Sequence, residues 1–137
     1  MVGAMPTLRE CIRDTFHALH RPAPGDDFES STGIRVEVID AGIALDTPAF
    51  ILITPWTMNG LAFAPDGALP HALVVDGKIR AVDSVDQPPL GHYLAVNLVP
   101  FGTHFPSPVH ARKVAQLLAP EFRRAVAQAR QAISIRG

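Results

Sequence analysis

Apolar and polar positions along this chain change period twice. Leu8, Ile12, Phe16 and Leu19 fall three or four residues apart, one stripe on a helix of about three turns. Thr7 and Glu10 fit a capping box at its start, and Arg21-Pro22 stops it. The period then becomes two: Ile34, Val36 and Val38 alternate with polar residues as on a half-exposed strand, and Ile43 and Leu45 continue the alternation. Residues 49–54, AFILIT, form an unbroken β-branched and aromatic run, as in a strand buried on both faces. Thr47-Pro48 and Pro55 bound that run, Asn59-Gly60 reads as a turn, and residues 61–64 are a second apolar run. Residues 49–70 therefore predict an apolar hairpin whose connection presents the only tryptophan, Trp56. Pro65-Asp66-Gly67 is the next turn.

Residues 72–75 and 78–82 flank Asp76-Gly77, the pair that a type I′ hairpin demands. Residues 83–91, with Pro88-Pro89, read as loop, and residues 92–99 as a strand ended by Pro100. Ser107-Pro108 opens a second helix, with Val114, Leu118, Phe122, Val126, Ala129 and Ile133 in one stripe and Pro120 as a kink or break. The order helix, about six strands, helix, with short connections, predicts an α+β domain. Its frame is a single antiparallel β-sheet with an N-terminal and a C-terminal helix packed on a face.

At 137 residues this is one domain, and 47% hydrophobic against 18% charged residues makes it globular. No apolar run approaches the roughly 20 residues of a spanning helix. The first six residues lack the pattern of a secretory signal, so the expected compartment is cytoplasmic, with no membrane contact. A lone cysteine, Cys11, beside the first helix's apolar stripe, reads as an inert, buried thiol. The net charge of −1 argues against nucleic acid as a partner. From residue 107 onwards Arg112, Lys113, Arg123, Arg124, Arg130 and Arg136 face only Glu121, whereas the rest of the chain is acidic. The basic helix either docks on its own acidic body or presents a zone that steers a partner.

Candidate chemistry is sparse. His17 and His20 sit three apart on the first helix without carboxylates at ligand spacing, so no metal site is expected. His71, His92, His104 and His110 are scattered, and spacing does not bring them together. There is no Gly-x-Ser-x-Gly elbow and no glycine-rich phosphate loop. Asp26, Asp27 and Glu29 lie in the Pro/Gly/Ser-rich stretch 21–33, which reads as a solvated loop or a partner-binding patch. Neither catalytic residues nor a cofactor are expected, which leaves a binding module.

The central stretch, Ile53-Thr54-Pro55-Trp56-Thr57-Met58-Asn59 followed by Leu61 and Pro65 or Pro70, resembles the signature of the HybE/HupJ family of NiFe-hydrogenase assembly chaperones. A second block fits the same family: residues 91–98, GHYLAVNL, then Pro100, Phe105, and Ala111 and Ala115 on the helix. Val99-Pro100 stands where the family usually has Ser-Pro, and the segment between the blocks is compressed around Asp76-Gly77. Nothing in these residues suggests the rubredoxin-like extension of some relatives, which needs four cysteines where this sequence has one. The resemblance implies a non-enzymatic, cytoplasmic chaperone that binds a hydrogenase large or small subunit precursor during metal-centre assembly and delays export of the twin-arginine-tagged small subunit.

For that role an exposed apolar patch on a rigid frame is needed. Thr54, Pro55, Trp56, Met58, Asn59, Leu61 and Phe63 are the candidates, with Phe101 and Phe105 beside them. Trp56 reads equally as core, in which case the motif serves folding. A second reading is a small-molecule-binding or enzymatic α+β domain with a pocket near the central hairpin, where His71, His92 or His104 meets a carboxylate. A third is a homodimer that buries the same patch against itself.

Overall fold

The computed structural model describes residues 7–19, 36–54, 57–99 and 105–136. The acidic stretch 21–33 and Pro55, Trp56, Pro100, Phe101, His20 and His104 lie outside the described residues. Helix α1 (Leu8–Leu19) precedes strands β1 (Glu37–Ala44), β2 (Thr47–Ile53), β3 (Met58–Ala62), β4 (Ala72–Val75), β5 (Lys78–Gln87) and β6 (Gly91–Val99). Helix α2 (Pro108–Arg136) follows. The six strands form one antiparallel, curled sheet in the order β1-β2-β3-β6-β5-β4. It consists of two three-stranded meanders, β1-β2-β3 and β4-β5-β6, joined along β3 and β6.

Both helices begin where their caps place them. The Glu10 N–H donates to Thr7 Oγ1 at 3.1 Å, and the His110 N–H to Ser107 Oγ at 3.1 Å. The helices do not share a face, contrary to expectation. α2 covers an inner face carrying Ala49, Ile51, Ile53, Met58, Leu94, Val96 and Leu98. The outer face carries Val38, Phe50, Leu52, Leu61 and Tyr93, with Ile12 of α1 in the same cluster. A strand buried on both faces, such as β2, supplies both cores because successive side chains point to opposite sides. Burial of each large aliphatic side chain there stabilises the fold by roughly 1.5–3 kcal/mol. Among the described residues no helix is long and apolar enough to cross a membrane.

Three expectations about the strands are corrected. Asn59-Gly60 is not a turn but the middle of β3, with Asn59 paired to Leu52 and Asn97. Gly60 is required there by packing: a Cβ would lie 2.6 Å from ring atoms of Phe122. Thr47-Pro48 does not bound the strand but opens it, and the chain turns one step earlier, at Leu45-Asp46, with Leu45 at φ 60°. Residues 83–87 belong to β5, whose solvated positions hid its alternation. α2 is a single helix through Pro120, because the missing N–H would have bonded the carbonyl of Gln116, an exposed residue that water can satisfy. The Asp76-Gly77 hairpin is as expected, with φ of 52° and 72°.

Candidate functional site

The motif segment closes on itself through threonines. At the end of β2, Thr54 is 2% exposed, and its N–H donates to the Thr57 carbonyl at 3.0 Å. Its hydroxyl accepts from the Thr57 N–H at 3.1 Å and donates to the Thr57 carbonyl at 3.1 Å. Residues 54 and 57 are thus tied to each other by three hydrogen bonds. Thr supplies both a donor and an acceptor from one atom, which a purely apolar residue at either position does not.

From Thr57 the bonding runs across the sheet. Thr57 Oγ1 donates to the Val99 carbonyl at 2.7 Å and accepts from Asn97 Nδ2 at 2.8 Å. The second hydrogen of that amide goes to Asn59 Oδ1 at 2.9 Å. Arg80 reaches over from β5, and its Nη1 donates to the carbonyls of Leu98 at 2.8 Å and Asn97 at 3.2 Å. Thr54, Thr57 and Asn59 of the first motif block and Asn97 of the second are therefore one hydrogen-bonded network, placed on the seam between the two meanders. Register explains the convergence: Asn59 and Asn97 are direct cross-strand partners, so their side chains share the outer face.

The other candidate residues separate. Met58 is fully buried in the α2-side core and Leu61 is buried on the α1 side, so they do not contribute to one exposed patch. Alternation along a two-sided buried strand sends them apart. Phe63 is half-buried among aromatics, 5.9 Å from the ring of Phe50 and 5.3 Å from that of Tyr93. Phe105 is buried beneath α2. Exposed apolar surface lies one hairpin further on. Val74 and Ile79, cross-strand partners on the outer face, are 60% and 80% exposed. Next to them Ala72 pairs with Ala81, the residue before Val82, which pairs with Val96 on β6. On β5, Arg80 caps carbonyls of β6 while Ile79 faces water.

The basic helix does dock on the acidic body, through two of its arginines. Arg130, 7% exposed, donates to both Asp46 oxygens at 3.0 and 2.7 Å, to Asp66 at 2.6 Å and to the Ala68 carbonyl at 3.0 Å. Its hydrogen bonds hold the Asp46 carboxyl at about 2, well below the usual range, and lower that of Asp66. Nearer its start, Arg112 pairs both oxygens of Glu37 at 2.8 and 2.6 Å.

His92 Nε2 lies 2.6 Å from Ser84 Oγ on an exposed stretch of the inner face, while His71 contributes its carbonyl to the Val82 N–H. Among the described residues, neither imidazole meets a carboxylate, and no three His, Cys, Asp or Glu side chains gather as for a metal. A groove of about 740 Å³ opens between the start of α1 and β1, lined in part by Arg9, Glu10, Arg13, Glu37 and Asp40, away from the central hairpin. Compared with family models, curated proteins and solved structures, the chain has no match.

Proposed function

We propose that this chain is a non-enzymatic accessory protein of NiFe-hydrogenase maturation that binds an immature large or small subunit. The observation that supports it best is the union of the two motif blocks. Four of the residues within the two blocks that resemble the HybE/HupJ chaperones, Thr54, Thr57, Asn59 and Asn97, are hydrogen-bonded to one another rather than scattered. A network of that kind fixes Thr54 and Thr57 relative to Asn59 and Asn97, and a preorganised frame lowers the cost of binding. Beside it, the outer face offers Val74, Ile79 and Ala81 as apolar contact area with Asn59 and Asn97 as a polar rim. The client surface is accordingly the Thr54–Thr57 connection together with the outer face of the β4–β5 hairpin.

The test is capture of clients by the tagged chain from its own cells under anaerobic conditions. Wild type, Trp56→Ala and Asn97→Ala are compared, with folding checked by circular dichroism. The expected result is recovery of an unprocessed hydrogenase subunit with wild type, and a fall of roughly tenfold, about 1.4 kcal/mol, with each folded variant. Absence of any hydrogenase subunit from cells that express the hydrogenase operon overturns the reading.

A further inference from the structure

The two edges of the sheet are treated differently. On β1, Arg9 Nε from the helix above donates to the Val38 carbonyl at 2.9 Å, and an irregularity between Asp40 and Gly42 breaks the regular ladder. Both features discourage a further strand. β4 has neither. Its residues, Ala72-Leu73-Val74-Val75, include no charge, no proline and no bulge.

The hairpin determines which backbone groups that edge presents. A two-residue type I′ turn makes Val75 and Lys78 the closing hydrogen-bonded pair. Leu73 and Arg80 are then the next such pair, and Ala72 and Val74 direct their N–H and C=O groups away from β5. Among the described residues nothing hydrogen-bonds to those outward groups.

We propose that β4 pairs antiparallel with β4 of a second copy of this chain, about a two-fold axis through Leu73. In this register Ala72 of each copy opposes Val74 of the other. The four outward N–H groups of the two copies then meet the four outward carbonyls, giving four hydrogen bonds with none left over. Centring the axis on Val74 instead keeps two of the four and sets Ala72 against Asp76, a turn residue. No charged side chain opposes another across the joint, so no like-charge repulsion works against self-pairing. On the outer face, Ile79 and Val74 of one copy continue into Ala72 and Ala81 of the other, extending one aliphatic surface across both copies. A closed two-fold pair uses up both free edges and stops there. The joint covers the edge and not the outer face, so it stands independently of the proposed client surface.

An edge of four residues spans only about 13 Å, so the association is weak and depends on concentration. Sedimentation velocity between about 10 µM and about 1 mM is expected to show a monomer passing to a dimer. Over the same range, hydrogen exchange should show the Ala72 and Val74 amides becoming protected. Val74→Lys, at an exposed position, and Ala72→Pro, which removes only an outward N–H, should each weaken the dimer at least tenfold with an unchanged circular dichroism spectrum. A chain that stays monomeric to about 1 mM overturns the proposal and leaves the edge to some other extended segment. A dimer indifferent to both substitutions, with those amides exchanging at a constant rate, also overturns it and puts the contact elsewhere.

Discussion

A methyl group added at Gly60 has nowhere to go, since three ring atoms of Phe122 stand within 2.8 Å of where it would sit. Both neighbours are fixed: Gly60 is held in the ladder of β3 between β2 and β6, and Phe122 is completely buried. Gly60→Ala is therefore expected to lower stability by about 1–3 kcal/mol, read as a shifted urea midpoint with an unchanged slope. Leu45 presents the opposite case. It holds a left-handed φ of 60° at the β1–β2 turn while its side chain stands 61% exposed, so it bears backbone strain with little packing to offset it. Leu45→Gly relieves that strain and loses some unfolded-state advantage, leaving an expected gain of about 0.5–1 kcal/mol in the same assay. Asn97→Ala removes two side-chain hydrogen bonds in the motif network, at an expected cost of about 1 kcal/mol. None of these effects was legible beforehand. Asn-Gly between apolar runs reads as a turn, and nothing in Leu45-Asp46 advertises one.

Among the elements, α2 depends most on charge. Arg130 fastens it to the β1–β2 turn through Asp46 and to the connection after β3 through Asp66 and Ala68. Removing that side chain as Arg130→Ala loses buried packing along with hydrogen bonds to two carboxylates, an expected loss of about 2 kcal/mol. The clamp also has an acid limit. Asp46 titrates near 2 in the fold against an ordinary 3.8, and Asp66 is lowered in the same direction. A depressed carboxyl contributes fully above its ordinary value and loses that contribution as pH falls through the folded one. Urea midpoints should accordingly hold steady down to about pH 4 and fall between about pH 4 and pH 2. In Asp46→Asn the same fall should be shallower. Salt should soften the whole effect, since both carboxylates are about half exposed.

At the scale of the molecule, the α+β class and the six antiparallel strands were legible because each rested on a strong period. The stripe of α2 from Val114 to Ile133, the run 49–54 and the Asp76-Gly77 turn all stand where the pattern places them. What the pattern did not contain was sidedness. Two helices and one sheet can be assembled with both helices on one side or one on each. Three-dimensional contacts decide for the second arrangement: Ile12 shares a cluster with Phe50 and Leu52, whereas Phe122 presses on Gly60 from the other side. The same gap affected the candidate site, where Met58 and Leu61 were grouped by nearness in sequence and are divided by the sheet. Asn59 and Asn97, distant in the chain, meet through register, which sequence order alone does not supply.

The seam between the meanders also marks where this chain can be cut. Among the described residues every ladder except β3 with β6 joins strands adjacent in sequence, and residues 63–71 carry the chain from one meander to the other. Two polypeptides divided between residues 69 and 70 each keep a complete meander. They still share the Asn59–Asn97 bond, the seat of Phe122 over Gly60 and the Arg130 clamp, all of which act across the break. Co-expressed, the two pieces should find each other and restore the native far-ultraviolet spectrum. That would make the fold a split reporter, and Gly60→Ala should silence its signal.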